Sequence, residues 1–155
     1  MLDKIMFDSN AFDKLLSVLD NLRQNIHKFD FYITAIQIEE IANIPDIKSE
    51  KRVCNLLALC ELRAKLVPVS FVFNHSRLGF CCFGDDENDI YSLLLNENQS
   101  NVNDALIGEA AKREGCILVT DDTRFIKKLT DNNIPTNSTT NFIALNACPN
   151  VISSI

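Results

Sequence analysis

Apolar residues along this chain fall into short runs separated by amphipathic stretches. Residues 4–7 (KIMF), 31–34 (FYIT) and 116–120 (CILVT) are apolar, β-branched and aromatic, the pattern of strands buried on both faces. Residues 66–73 (LVPVSFVF) read as a further strand. Pro68 puts it at a sheet edge, because proline has no N–H to give to a ladder. From about residue 10 to 28, Phe12, Leu15, Leu16, Leu19 and Leu22 recur at helical spacing. Thr34 and Gln37 have the capping-box form, so a helix starts there and stops near Pro45. Residues 47–65 read as a helix burying Val53, Leu56, Leu57, Cys60 and Ala64. Helices follow at about 88–96, 103–114 and 123–131, and residues 141–145 read as a last strand. Residues 74–89 are the least regular part. Strands alternating with helices predict an α/β fold: a three-layer α/β/α sandwich around a central parallel β-sheet.

Composition narrows this only slightly. The 155 residues suit one domain spanning residues 1–155, with an ordinary 46% apolar and 23% charged content. No apolar run reaches membrane-spanning length, and the start MLDKIMFDSN has no signal-peptide core. A cytoplasmic protein with no membrane partner is therefore expected. Its 6 cysteines then read as free thiols, with Cys54, Cys60, Cys116 and Cys148 in apolar packing. Cys81 and Cys82, with His75 upstream, lack the spacing of a zinc site. The net charge of −6 opposes non-specific nucleic-acid binding, unless a bound dication reverses the sign locally.

The acids are where chemistry is expected. In a parallel sheet, the loops after the strands' carboxyl ends gather on one edge, where ligands bind. Asp8 follows the first strand, Glu39 and Glu40 lie in the helix after the second, and Asp121 and Asp122 follow CILVT. Asp104 opens the helix that runs back into that strand, so its start lies at the same edge. Two carboxylates about 4 Å apart repel by ~4 kcal/mol at an effective dielectric near 20. Acids gathered in this way call for a divalent cation, and oxygen-only ligands favour Mg²⁺ or Mn²⁺. Carboxylate-held metal at an open edge is equipment for phosphodiester hydrolysis. Taken singly, each acid also has an ordinary role: Asp8 as a helix cap, Glu39 and Glu40 as a solvated face, Asp104 beside a helix dipole, Asp121 and Asp122 in a turn. Helical geometry does not choose between Glu39 and Glu40.

Three blocks, IMFDSNAF, ITAIQIEEI and NDALIGEAAKREGCILVTDDTRF, together resemble the PIN-domain ribonucleases, and among them the small VapC-type toxins of toxin–antitoxin pairs. The resemblance implies that Asp8, Glu40, Asp104 and Asp122 are the catalytic, metal-binding acids for Mg²⁺ or Mn²⁺. It makes Asn10 and Thr120 their orienting partners; Asp121, where relatives carry Asn or Arg, either faces water or, the reading preferred, joins the site as a supporting ligand. It further implies hydrolysis of RNA, a homodimer and an antitoxin partner. Lys48, Lys51, Arg52, Lys127 and Lys128 are candidates for a basic rim along an RNA path. Residues 68–100 depart from the family pattern. Competing readings are a PIN-like module that binds without cleaving, and a PIN nuclease of RNA processing or DNA cleavage. A haloacid-dehalogenase-type phosphatase ranks below these, because Asn10 stands where its second Asp is needed.

Overall fold

A computed structural model describes residues 2–83, 90–95 and 101–146. Five parallel strands form the central sheet in the order β3-β2-β1-β6-β7: β1 (Asp3–Phe7), β2 (Phe29–Thr34), β3 (Lys65–Val67), β6 (Ile117–Val119) and β7 (Thr136–Asn137). Short strands β4 (Val69–Ser70) and β5 (Cys81–Cys82) pair separately, also in parallel. The helices are α1 (Phe12–Leu15), α2 (Leu19–Asn25), α3 (Ala35–Ala42), α4 (Ser49–Leu62), α5 (Ile90–Leu95), α6 (Val102–Glu114), α7 (Thr123–Asp131) and α8 (Thr139–Asn146).

Strand alternation divides the interior into two cores. Ile5, Phe7, Phe31 and Val119 face one layer, against Phe12, Leu15, Ala58 and Phe142. Met6 and Leu118 face the other, against Leu106, Ala110, Phe125 and Leu129. Burial on both faces is why these strands are apolar throughout. The result is the expected α/β/α sandwich. Among the described residues, no helix is long and apolar enough to cross a membrane.

Several local expectations are corrected. The segment expected as one helix over residues 10–28 is α1 and α2 joined and flanked by 3₁₀ turns. The strand expected over residues 66–73 breaks at Pro68: β3 stays at the sheet edge, while β4 leaves to pair with β5. Residues 141–145 lie in a helix, α8, because Phe142 packs edge-on against Phe7 at 5.1 Å and the two-residue β7 already completes the sheet. In α4 the inward face carries Asn55, Ala58 and Leu62, while Val53, Leu57 and Cys60 are exposed; of the expected set, Leu56 and Ala64 are half-buried. Ala58, 0% exposed, presents almost no bulk there, so the helix sits close on the core with that side inward. Cys116 is buried and Cys54, Cys81 and Cys82 are half-buried free thiols; Cys148 lies outside the described residues. Parts of the helix expected at 88–96, and residues 84–89 of the irregular stretch, also lie outside them.

Candidate active site

The parallel strand direction delivers polar residues to one edge. Asp8 follows β1, and its N–H still donates to Val119 O of β6 at 2.9 Å, so the residue is held as firmly as a strand position. Asp8 is only 5% exposed. Thr120, at the end of β6, donates its hydroxyl to Asp8 Oδ2 at 2.8 Å. Burial raises the Asp8 carboxyl above its ordinary range; the Thr120 hydrogen bond opposes this, and the Glu40 charge adds to it.

Glu40 is positioned by the start of α3. Thr34 and Gln37 form the capping box, with Thr34 N–H donating to Gln37 Oε1 at 2.7 Å. The buried Gln37 amide then donates to Phe7 O at 2.7 Å, tying the helix to the end of β1. Glu40 follows within the same helix. Its Oε1 accepts from Asn103 Nδ2 at 2.9 Å, and its Oε2 from Ser9 Oγ. Ser9 Oγ also stands 3.4 Å from Asp8 Oδ1, but a hydroxyl has one proton, and the closer oxygen is Glu40's.

Asp104 lies in the first turn of α6. Its carboxyl is pushed up to about 6, first by burial, then by the charges of Asp8, Glu40 and Asp122, against a weaker opposing effect of Lys128. Asp8, Glu40 and Asp104 line one pocket of ≈310 Å³, together with Ser9, Asn10 and Lys51.

The remaining expected residues stand differently. Asp122 is the N-cap of α7: its Oδ1 accepts from Arg124 N–H at 2.8 Å and Phe125 N–H at 3.0 Å. It is close enough for its charge to act on Asp104. Asp121 turns elsewhere, to Lys14 at 2.8 Å and to the Thr139 N–H of α8 at 3.0 Å. Its carboxyl is lowered because these partners outweigh what burial there is. Glu39 pairs with Arg77, away from Glu40. Asn10 is exposed at the pocket wall, and the side-chain hydrogen bond to Asp8 comes from Thr120 instead.

Of the basic candidates, Lys51 lines the pocket but is paired with Asp13 at 2.6 Å, and Arg52 is paired with Asp46 at 2.8 Å. Lys128 donates to Leu94 O at 3.1 Å and acts on Asp104 through its charge. Ser9 and Asn103, which hold Glu40, carry no charge and gave no signal in the sequence beyond standing next to Asp8 and Asp104.

Among the described residues, no three His, Cys, Asp or Glu side chains already enclose an ion-sized point. The donor chemistry nevertheless fits a hard dication: besides Asp13, which pairs with Lys51, three carboxylates line one pocket, and Asp104 is raised by burial and by the charges of its neighbours. A divalent charge is what would relieve that repulsion.

The family model described as PIN domain matches residues 4–129. No curated protein matches the chain significantly. Among solved structures, the chain is similar to PAE2754 from Pyrobaculum aerophilum at 17% identity, with a TM-score of 0.58, over 95% of this chain and 98% of that one. It is also similar to a chain of VapBC2 from Rickettsia felis, crystallised bound to a DNA fragment from their promoter. There the identity is 17% and the TM-score 0.56, over 87% of this chain and 98% of the other. These two likenesses are of fold.

Proposed function

The chain belongs to the PIN-domain family, and on that premise we propose that it is a metal-dependent endoribonuclease acting as the toxin of a toxin–antitoxin pair. Residues 1–155 form one PIN-like domain in this reading, working in the cytoplasm as a homodimer and restrained by an antitoxin protein. The likeness to the VapBC2 structure supports the antitoxin partner.

The observation that carries the proposal is the pocket in which Asp8, Glu40 and Asp104 meet with, among the described residues, no cationic side chain on their oxygens. Asp8, Glu40, Asp104 and Asp122 would hold Mg²⁺ or Mn²⁺. When bound, the ion supplies Lewis acidity, lowering the pKa of water and screening the charge of the phosphodiester. The chain's own part is orientation. Thr120 fixes the rotation of the Asp8 carboxylate; Ser9 and Asn103 fix that of Glu40. Asp122 keeps one oxygen on the α7 amides, which holds its carboxylate still. No covalent enzyme intermediate is required.

The test is cleavage of total cellular RNA by the purified protein with Mn²⁺, with chelator, and as Asp8→Asn. Chelator and substitution should each abolish cutting. Cutting that survives both would remove the proposal and favour a contaminating or metal-free activity. A wild-type protein that cuts no RNA and shows no thermal stabilisation by Mn²⁺ would favour a non-catalytic binding module instead.

A further inference from the structure

The capping box that opens α3 has a part that a cap does not need. Gln37 Oε1 returns to the N-cap residue as such a box requires, accepting from Thr34 N–H at 2.7 Å and from the Thr34 hydroxyl at 3.0 Å. The other end of the same amide leaves the helix. Gln37 Nε2 donates to Phe7 O, the last carbonyl of β1, at 2.7 Å. β1 and β2 stay in register only as far as Met6 and Tyr32. Beyond that pair the Gln37 amide spans the two strand ends, taking a donor from β2 and an acceptor from β1. Its orientation is fixed, because a carbonyl oxygen cannot donate to Phe7 O and an NH₂ cannot accept from Thr34 N–H. Gln37 is 0% exposed, so water does not compete for these bonds.

The elements joined in this way carry Asp8 and Glu40. The peptide between Phe7 and Asp8 is held on both sides: its carbonyl by Gln37 of α3, and its N–H by Val119 O of β6 at 2.9 Å. Glu40 stands one helical turn beyond Gln37, about 4.5 Å further along α3. α3 therefore cannot slide or turn against β1 without breaking a buried hydrogen bond. Ser9 and Asn103 orient the Glu40 carboxylate itself; Gln37 acts on the backbones from which both acids spring. Ser9 Oγ donates to Glu40 and stands 3.4 Å from Asp8 Oδ1, so the two carboxylates are close together.

We propose that Gln37 is a positioning residue that fixes the spacing of Asp8 and Glu40, and thereby favours a small dication over a large one. The proposal rests on the metal reading of the pocket given above. Mg²⁺ demands near-ideal octahedral geometry with oxygens at about 2.0–2.1 Å, whereas Ca²⁺ accepts oxygens at about 2.3–2.6 Å in flexible arrangements. Carboxylates on a rigid spacing serve the first ion. Once the spacing loosens, Mg²⁺ loses its fit and Ca²⁺ adapts. Selectivity of this kind comes from rigidity, so the residue that supplies it has no need to touch the ion.

The test uses full-length, metal-free protein and the ions alone. Mn²⁺ binding is read from the electron paramagnetic resonance signal of the free ion, and Mg²⁺ and Ca²⁺ affinities from competition against it. Gln37→Met keeps the side chain's length and loses the amide. It should weaken Mg²⁺ by about tenfold, the effect of removing a group that orients metal ligands, and Ca²⁺ by less than about threefold. The ratio of the two affinities therefore falls. Thr34→Val keeps the shape of position 34 and removes the hydroxyl that bonds Gln37 Oε1. It should move the ratio the same way by a smaller factor, and it decides the matter where Gln37→Met does not fold. Ser70→Ala is the control for stability alone. Ser70 is also buried, and its hydroxyl donates to Glu109. That variant should lower the melting temperature and leave the ratio unchanged. A ratio unmoved by Gln37→Met and Thr34→Val, or moved as far by Ser70→Ala, overturns the role of Gln37 and leaves the metal reading standing. A wild type that binds none of the ions removes the metal reading, and the proposal with it.

Discussion

The two ends of this sheet treat acids in opposite ways. At the amino ends of β2 and β3, around a cavity of ≈630 Å³, Glu61 is held by Arg23 through contacts of 2.7 and 3.0 Å, and Asp30 by Lys65 at 3.0 Å. Arg23 holds the Glu61 carboxyl below its ordinary range. At the carboxyl ends, Asp8, Glu40 and Asp104 share a pocket, and among the described residues none of them forms a salt bridge. There burial and mutual repulsion push Asp104 up to about 6. Charge balanced on the spot is ordinary surface electrostatics. Charge crowded and left unbalanced opposes folding, and persists where a ligand supplies the missing sign. The larger cavity is therefore the less informative one.

The strongest way to break this contrast is to remove one acid from each end. Asp104→Asn should lower the rate of RNA cleavage in Mn²⁺ by at least about a hundredfold, since changes to groups that merely support metal ligands already cost 10–100-fold. Glu61→Gln should leave that rate unchanged. Initial rates on one RNA decide it, and equal losses in both would erase the distinction between the ends. The next effect is smaller. Asn103→Ala removes the donor at Glu40 Oε1 while leaving every charge in place. A loss of about tenfold is expected, and of similar size for Ser9→Ala. Wild-type rates in both variants would mean that Glu40 needs no help to stand where it does.

How these features reached the sequence differs from element to element. β1, β2 and β6 were legible because a strand buried on both faces has no polar alternation to blur it. The gathering of Asp8, Glu40 and Asp104 followed from strand direction and from the return of α6 towards β6, since Asp8 follows β1, Glu40 lies in the helix after β2 and Asp104 opens the helix before β6. The inward face of α4 was not legible. It is set by Asn55, whose partner Asp13 lies 42 positions away and on another helix. A polar residue on a wheel reads as outward until that partner is known. α8 was misread although it carries a local signal: Ser138 caps it by accepting from Asn141 N–H at 3.1 Å, and Asp121 adds a distant contact to Thr139 N–H at 3.0 Å. The same contact, with Lys14, draws Asp121 away from the other acids. Local rules carry propensity and period; long-range hydrogen bonds are where they stop.

A third effect concerns pH, in metal-free protein. The Asp104 carboxyl titrates near 6 when folded, against an ordinary value of 3.8. Between these values the folded state binds more protons than the unfolded state, so this group's contribution to stability falls as pH rises from about 4 to about 6. The raised Asp8 carboxyl acts in the same direction. Melting temperatures of wild type and Asp104→Asn, measured in chelator, should coincide near the lower limit. They should separate by roughly 2–5 °C above the upper one, with the variant the more stable. A variant that melts below the wild type at neutral pH would make Asp104 a structural group. Millimolar Mn²⁺ should close the gap by raising the wild type alone.

The smallest effect is the control that gives the others meaning. The side chains of Arg23 and Glu61 are 47% and 42% exposed, so water already solvates much of both charges. Their contact gains little from Coulomb attraction at high dielectric, and it costs the freedom of two long side chains. Glu61→Gln should thus move the melting temperature by no more than about 2 °C. Raising the ionic strength to about 1 M should abolish even that difference, because exposed charges are then screened within about 3 Å. Asp104→Asn should keep most of its advantage in the same salt, since the largest cause of the raised Asp104 carboxyl is its burial, which salt does not screen. The two salt responses measure the contrast directly. A salt-resistant loss of more than about 5 °C in Glu61→Gln would mean that the amino-end pairs are structural, and that pairing is not what separates the two ends.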